Sequence, residues 1–465
     1  MTPPSLPETP VRMESDVPGR ADLSPVRRFD DPRTARWGHT RPTRAVPRPA
    51  LTSRSAFKVA LGSTVLALGL AATASAQEAL RQSLAGEAAA ASRRRQQENQ
   101  PYSLKSGDLK LLIEPSLSAD WLDDIYLSDK DKESDVIISP MLRLNATYPL
   151  TDVNALNVSV AVGYDFYADH DEWNVFRLEP GSELSFDFFI KDLRINLHER
   201  FSYVQDPAQE AAVANAVRYG GFYNAVGITG IGDLKDVVLT LGYDHSTFVA
   251  TTSDYEYLDR GAELPLGRIG YKVNAAVTAG VEATGSFNRY DDPVLNNSTG
   301  YSAGAYADWQ VTEYLQVRPR AGYASYFFDQ TSAVLLAEDQ DAWYADLTLQ
   351  HRVNEAVSYS LSAGHELRLG INSDTIEAYY VRPSINWRIV KDVSLTTYAS
   401  YENGKQPGGL VEEDYDHFGA GFSVGYQLME KMRTSLNYRW TLRSSDAAGR
   451  DYSQNRVGLH LAYRF

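Results

Sequence analysis

The 465-residue chain contains no cysteine. That excludes disulfides and thiolate metal sites, and it suits an oxidising compartment where a stray thiol is a liability. Methionine is scarce, at 5 residues, and the 8 histidines are scattered. No H-E-x-x-H, G-x-S-x-G or P-loop pattern occurs, so hydrolase and nucleotide chemistry have no motif to rest on, and the expectation is a non-enzyme without a cofactor. Beyond residue 80 no apolar run approaches the roughly 20 residues of a membrane helix. The chain is therefore soluble, or it spans a membrane as strands. Positive charge is in deficit: the formal net charge of −15 argues against a nucleic-acid partner.

The first hundred residues read as segments outside the main fold. Residues 1–50, rich in Pro and Arg without apolar periodicity, are a disordered extension or lie upstream of a true start near Leu51. In 51–76, Arg54 and Lys58 precede an apolar run from Val59 to Leu70. Ala74-Ser75-Ala76 follows, which completes a secretory signal cleaved after Ala76. Residues 77–104 favour helix or disorder and read as a periplasmic lead-in.

What the chain has instead is tyrosine, 29 residues of it, with 7 Trp, and a repeated alternation. The terminal stretch Arg456–Phe465 places Val457, Leu459, Leu461, Tyr463 and Phe465 on one face of a strand and Arg456, Gly458, His460, Ala462 and Arg464 on the other. Short turns such as Ile190-Lys191-Asp192-Leu193, Leu234-Lys235-Asp236-Val237 and Val390-Lys391-Asp392-Val393 recur about every forty residues, with a weaker one at Lys272 to Ala275. Alternating segments of ten or more residues flank each turn, and looser acidic loops join them at the other end. These segments are about twice the length of soluble strands and match a tilted bilayer crossing. The fold expected over 105–465 is all-β: a transmembrane antiparallel up-and-down barrel of about 18 strands, or about 16 if the first hairpin lies outside the wall. An even number puts the short turns and both ends on the periplasmic side. The soluble alternative, a β-propeller, would need short strands and more turns per repeat.

Asp124-Ile125-Tyr126 followed by Ser134-Asp135-Val136-Ile137-Ile138-Ser139-Pro140 and Leu142-Arg143-Leu144 resembles the opening hairpin of the "Putative β-barrel porin 2" outer-membrane proteins, some of which are associated with exopolysaccharide systems. The resemblance implies an outer-membrane barrel and supplies no catalytic residue. The closing strand also resembles that of bacterial outer-membrane barrels, which implies that its aromatic ending, Tyr463 and Phe465, is the signal for the barrel-assembly machinery.

With the apolar face on lipid, the other face lines the lumen. The later strands contribute Arg318, Arg320, Arg352, Arg368 and Arg382, then Arg388, Arg433, Arg439, Arg456 and Arg464. The earlier strands contribute Asp165, Glu179, Glu183, Asp187, Asp244, Glu282 and Asp308, with Arg143, Arg177 and Arg194 among them. This reads as a cationic wall facing a more acidic one, a transverse field that biases passage. The alternative is local pairing of these charges in a plugged lumen. His198-Glu199 and His365-Glu366 read as rim or lumen residues. The third outer loop, Gln205–Val217, has helical propensity over Ala208–Ala216; it either folds inward to narrow a channel or, having few charges, stays on the surface. Acidic clusters in other outer loops (Asp123 to Asp135; Asp169, Asp171 and Glu172; Glu412 to Asp416) are a solvated surface or a loose Ca²⁺ or Mg²⁺ site toward lipopolysaccharide.

The expected function is passive diffusion of small hydrophilic, anionic solutes through an Arg-lined lumen. The alternatives are a conduit for an anionic exopolysaccharide and a structural or adhesive barrel with a closed lumen. Expected partners are outer-membrane lipid, lipopolysaccharide, periplasmic chaperones and the assembly machinery; oligomeric state stays open. Intact mass spectrometry of the mature protein is expected to give an amino-terminus at Gln77.

Overall fold

The structure, a computed structural model, describes residues 102–465 apart from 152, 153, 205, 207 and 209. The expected extension, the signal segment with Ala74 and Ala76, and the lead-in up to residue 101 lie outside the described residues.

The described chain is an antiparallel meander closed into an 18-stranded barrel. Nine strands run from the short turns toward the long loops: β2 (Leu109–Leu122), β4 (Ala155–Tyr167), β6 (Leu193–Val204), β8 (Val237–Ala250), β10 (Val277–Tyr290), β12 (Leu315–Phe328), β14 (Val357–Leu369), β16 (Val393–Gln406) and β18 (Met432–Ser445). Nine return: β3 (Asp135–Pro149), β5 (Val175–Ile190), β7 (Gly221–Leu234), β9 (Arg260–Asn274), β11 (Ser298–Gln310), β13 (Gln340–Asn354), β15 (Thr375–Val390), β17 (Glu413–Met429) and β19 (Tyr452–Tyr463). A three-residue strand, β1 (Leu104–Ser106), precedes them. Every expected turn that is described joins its two strands as read, except the weak one at Lys272 to Ala275. There β9 continues to Asn274 and the reversal falls at Ala275-Ala276.

Alternation sorts the side chains by solvent. Leu117, Ile138, Leu241, Val281 and Leu459 are exposed on the outer face, while Asn157, Ser185, Thr240, Ser286 and Gln454 are buried on the inner one. Apolar atoms outside and polar atoms inside invert the arrangement of a soluble domain, and lipid is the solvent that makes it stable. Exposed aromatics form two belts. Phe166, Phe176, Phe222, Phe327 and Trp343 lie toward the loops, and Tyr148, Tyr271, Trp309, Tyr426 and Tyr463 toward the turns, the positions where amphipathic rings meet headgroups.

Closure needs every backbone group on both edges of β2 to find a partner. β3 covers one edge. On the other, β19 pairs from Arg456 opposite Leu122 to Ala462 opposite Ser116 and goes no further. Below it the Phe465 N–H reaches the Ile113 carbonyl at 3.2 Å, and β1 folds back to pair with Leu109 to Leu111. The regular pairing of the last strand thus ends at Tyr463, with Arg464 and Phe465 tied individually, two residues short of the expected Phe465. Its start lies earlier than expected, at Tyr452.

At the loop end, Asp123 accepts the backbone N–H and the side-chain amide of Asn455, both at 2.6 Å. Lys132 adds a strap to the Ser453 carbonyl at 2.7 Å. Asp123→Ala removes two charge-assisted bonds across the seam, and the expected cost is about 2 kcal/mol. The check is a lower temperature for the loss of the compact, heat-modifiable gel band, with Lys130→Ala, exposed and away from the seam, as the control.

Candidate functional site in the barrel interior

The described residues of the 205–220 loop between β6 and β7, which are 206, 208 and 210–220, turn into the barrel rather than lying on its surface. The loop's alanines are small enough to let backbone approach the wall. The Ala211 carbonyl accepts from Arg443 Nε at 2.8 Å and the Ala212 carbonyl from Arg450 Nη2 at 2.9 Å. Asn215, in the left-handed region at φ 57° that Asn tolerates, donates its side-chain amide to the Gly449 carbonyl at 2.9 Å and its N–H to Leu127 at 3.0 Å. Ala211, Ala212, Val213 and Ala216 then bury against Leu258, Leu295, Leu335 and Ile371 from four other loops. The helical propensity of Ala208–Ala216 is overridden: no α-helix forms among the described residues of this loop, because wall guanidiniums take carbonyls that a helix would use.

The loop's few charges meet arginines of the wall. Asp206 lies against both terminal nitrogens of Arg439 at 3.1 Å and against Arg456 at 3.4 Å. Glu210 stands 3.5 Å from Arg368. The loop therefore supplies carboxylates to an arginine surface built by β14, β18 and β19.

That surface carries its own acids as well. Arg368 contacts Glu402 at 2.5 Å and Glu366 at 3.7 Å, and Arg382 contacts Glu402 at 2.9 Å. Arg443 and Glu413, both without exposed side-chain surface, pair at 2.6 Å, and Arg450 joins them at 3.0 Å. Tyr415 donates to Glu402 at 3.1 Å and lies under the Arg443 guanidinium at 4.7 Å. Gly404 makes room for it, since a Cβ there would overlap the Tyr415 ring. Arg456 also meets Asp120 at 3.2 Å.

The earlier strands do not form an opposed acidic wall. Asp165 and Glu179 share Arg177. Asp187 binds Arg194 at 2.8 Å, and Asp244 binds His198 at 2.6 Å. Glu282 lies between Arg268 at 3.5 Å and Arg320 at 3.7 Å, and Asp308 faces Arg318 at 3.3 Å. Glu183 is buried on the same face. The expected transverse field thus gives way to local pairing, because burying a guanidinium costs too much without a counter-charge on the next strand. His198 is an interior residue. His365 is a correction: its ring stacks on Tyr379 and Trp343 at centroid distances of 4.2 and 4.1 Å on the outer face, and only Glu366 points inward.

Cations with few partners collect at the turn end. The foot of each later returning strand donates a backbone N–H to the preceding turn, at 2.8 to 3.0 Å: Asp233, Lys272 and Gln310, then Arg352, Arg388, Gln427 and Arg464. These positions recur once per repeat and form one rim. Asp233 is bonded to Lys272, and Arg464 shares Glu114 with Arg143, each at 3.7 Å. Arg352 lies over the Tyr314 ring at 5.1 Å. Arg388 and Arg433 are exposed and make no ion pair among the described residues.

Three acids expected on a solvated outer surface are structural. Glu413 is buried under Arg443. Asp124 is buried against Lys132 at 3.3 Å, and burial holds its carboxyl above the usual range. Asp135 caps the backbone N–H groups of Ala168 and Asp169 at 3.1 Å and bonds His170 at 2.8 Å. Hydrogen bonds to Asp135 and then Glu133 raise the His170 imidazole above its ordinary value. No group of three or more His, Asp or Glu among the described residues converges to hold a metal.

A family model described as "Putative beta-barrel porin 2" matches residues 110–465. Similar solved structures include Pseudomonas aeruginosa OccK5 (OpdH), with a TM-score of 0.44 and 10% identity over 76% of this chain and 98% of that one. Pseudomonas aeruginosa OpdL has a TM-score of 0.43 and 11% identity over 77% and 100%. Acinetobacter baumannii OccAB3 has a TM-score of 0.43 and 10% identity over 76% and 99%. A search of curated proteins returns no match.

Glu413→Ala strips the buried Arg443 of its carboxylate, and the expected loss is about 3–5 kcal/mol. Urea unfolding of the refolded barrel checks it. Adding Arg443→Met, which removes the stranded charge, is expected to recover most of the loss.

Proposed function

The chain belongs to the Putative beta-barrel porin 2 family and is an outer-membrane β-barrel, and we propose that it is a channel for small anionic solutes whose narrowest level is the contact of the 205–220 loop with the arginines of β14, β18 and β19. The observation that carries this reading is the Asp206 carboxylate resting on Arg439 and Arg456. A carboxylate from a loop, unlike one built into the wall, can be exchanged for the carboxylate of a passing solute while the guanidiniums keep a partner. Exchange of like for like avoids exposing an uncompensated buried charge, which is the main barrier to moving an anion through a narrow pore. Arg382, half-buried beside Glu402, gives the next donor toward the turn end.

A second reading, a conduit for an anionic polymer, is favoured by Arg433 and Arg439 on the inner face of β18, which lie roughly 20 Å apart along the strand. Loss of polymer secretion on deletion of the gene would favour it over small-solute diffusion. The third, a barrel with a closed lumen, draws on the apolar cluster of loops over the outer mouth.

The test is single-channel conductance of the refolded mature protein with KCl reversal potentials. Anion-selective steps are expected, and Arg382→Glu with Arg439→Glu is expected to reverse the preference. Cation selectivity of the unmodified protein would refute the arginine path. Silence from a heat-modifiable barrel would leave the closed-lumen reading standing.

A further inference from the structure

The two mouths of the barrel differ in charge, since at the turn end the turn acids Asp192, Asp236, Glu313, Glu355, Asp392 and Glu430 are offset by Lys191, Lys235, Lys391, Lys431 and the cations at the strand feet. In the loops at the outer end, acids outnumber the four basic residues, Lys130, Lys132, Arg218 and Arg450, many times over. Several of these acids are exposed, among them Asp129, Asp131, Asp171 and Asp254. The rim at the turn end is different. Of the positions fixed there by the repeated backbone bond, Lys272, Arg352, Arg388 and Arg464 are cationic and only Asp233 is acidic. Arg143 and Arg433 lie on the inner face close behind. Glu114 is shared by two of these arginines, and Arg388 and Arg433 have no carboxylate of their own among the described residues.

We propose that the turn-end rim is an anion-capture ring, through which an anionic solute, a carboxylate or phosphate compound, enters the channel faster than it does from the outer side. This rests on the anion-channel reading and adds a direction to it. The rim is built rather than incidental. Each position is held by a 2.8 to 3.0 Å bond from its own N–H to the preceding turn, so the side chains start from a fixed level. Exposed guanidiniums that lack a paired carboxylate keep donors free for a solute, and a mouth with low-dielectric walls focuses their field. At the other end, an anion outside the cell meets an acidic apron before it can reach Arg439. The same pore therefore has a fast and a slow entrance for anions.

The experiment uses the mature protein in a planar bilayer at low salt, with tripolyphosphate added to one side at a time. Because the chain has no native cysteine, a single Glu355→Cys substitution at a turn marks the orientation through a membrane-impermeant thiol reagent. Blocking events are expected to start at least about tenfold more often from the periplasmic side, within the range that electrostatic steering gives. The difference is expected to collapse near 1 M salt, where the screening length falls to about 3 Å. Arg352→Gln with Arg388→Gln is expected to lower the periplasmic on-rate several-fold and leave the outer on-rate alone; Arg388→Gln by itself serves if the double variant does not refold. Equal on-rates from both sides, or faster entry from outside, in a channel whose reversal potential is anionic would overturn the direction and spare the channel reading. A cationic reversal potential would remove both.

Discussion

Everything in this barrel depends on one constraint: within hydrocarbon no backbone N–H or C=O can be left without a partner. A meander satisfies its interior strands automatically, so the difficulty is concentrated where the first strand meets the last. The free edge of β2 is longer than β19 can cover. Three separate pieces of chain cover it instead, namely β19 above, Phe465 in the middle and β1 at the foot. This gives the terminal residue a structural task besides the assembly signal proposed for it, since its N–H fills the gap at Ile113. It also ties the end of the lead-in to the barrel. Leu104, the last residue of that lead-in, joins Lys105 and Ser106 in the wall because an unpaired edge needs them.

Inside, the same constraint acts on charge. A guanidinium on the inner face of an 18-stranded wall has strands on both sides and limited water, and the desolvation of an unpaired buried charge is several kcal/mol. Most inner arginines accordingly have an acid one or two strands away, as with Arg194 and Asp187 or Arg320 and Glu282. The exceptions fall in two places. At Arg439 and Arg456 the wall offers too few acids, and a loop brings Asp206. At the turn end Arg388 and Arg433 stay exposed, because bulk water there solvates them and no partner is needed. The distribution of unpaired charge along the axis thus follows from access to water.

The strands were legible because a barrel writes itself locally: period-two alternation, turn residues about every forty positions, and aromatics at the ends of apolar faces. Those signals depend only on neighbouring residues and on lipid. The interior was legible in part. Alternation puts Arg382, Arg439 and Asp165 on the inner face, but which carboxylate each arginine meets depends on register between strands, and that is not written in either strand alone. Arg443 and Glu413 show the limit. One sits near the end of a polar face and the other in an acidic run, and only the pairing of β17 with β18 makes them a buried pair. The helical propensity of the loop after β6 misleads for a related reason. Its alanines speak for helix, and their real use is closeness to Arg443 and Arg450, a contact more than two hundred residues away in sequence. The rim could have been found earlier: its residues occupy the same place in successive repeats, and aligning the repeats on their turns brings Lys272, Arg352, Arg388 and Arg464 into one column.

The loop in the lumen is held by two kinds of bond, and the difference decides whether it can coexist with a pore. Ala211 and Ala212 give backbone carbonyls to Arg443 and Arg450, and the neighbouring side chains are packed among four other loops. A solute cannot imitate those contacts. Asp206 binds through its carboxylate, which an anionic solute reproduces group for group, and it lies ahead of the packed segment, whereas Glu210 is buried within it. The proposed exchange at Arg439 and Arg456 would leave the anchored part of the loop in place. A loop fixed entirely by charge would be expelled by its own substrate, and one fixed entirely by packing would be a plug. This loop divides the two tasks between neighbouring residues, and on the anion-channel proposal that division keeps the arginines compensated when empty and available to a carboxylate in transit.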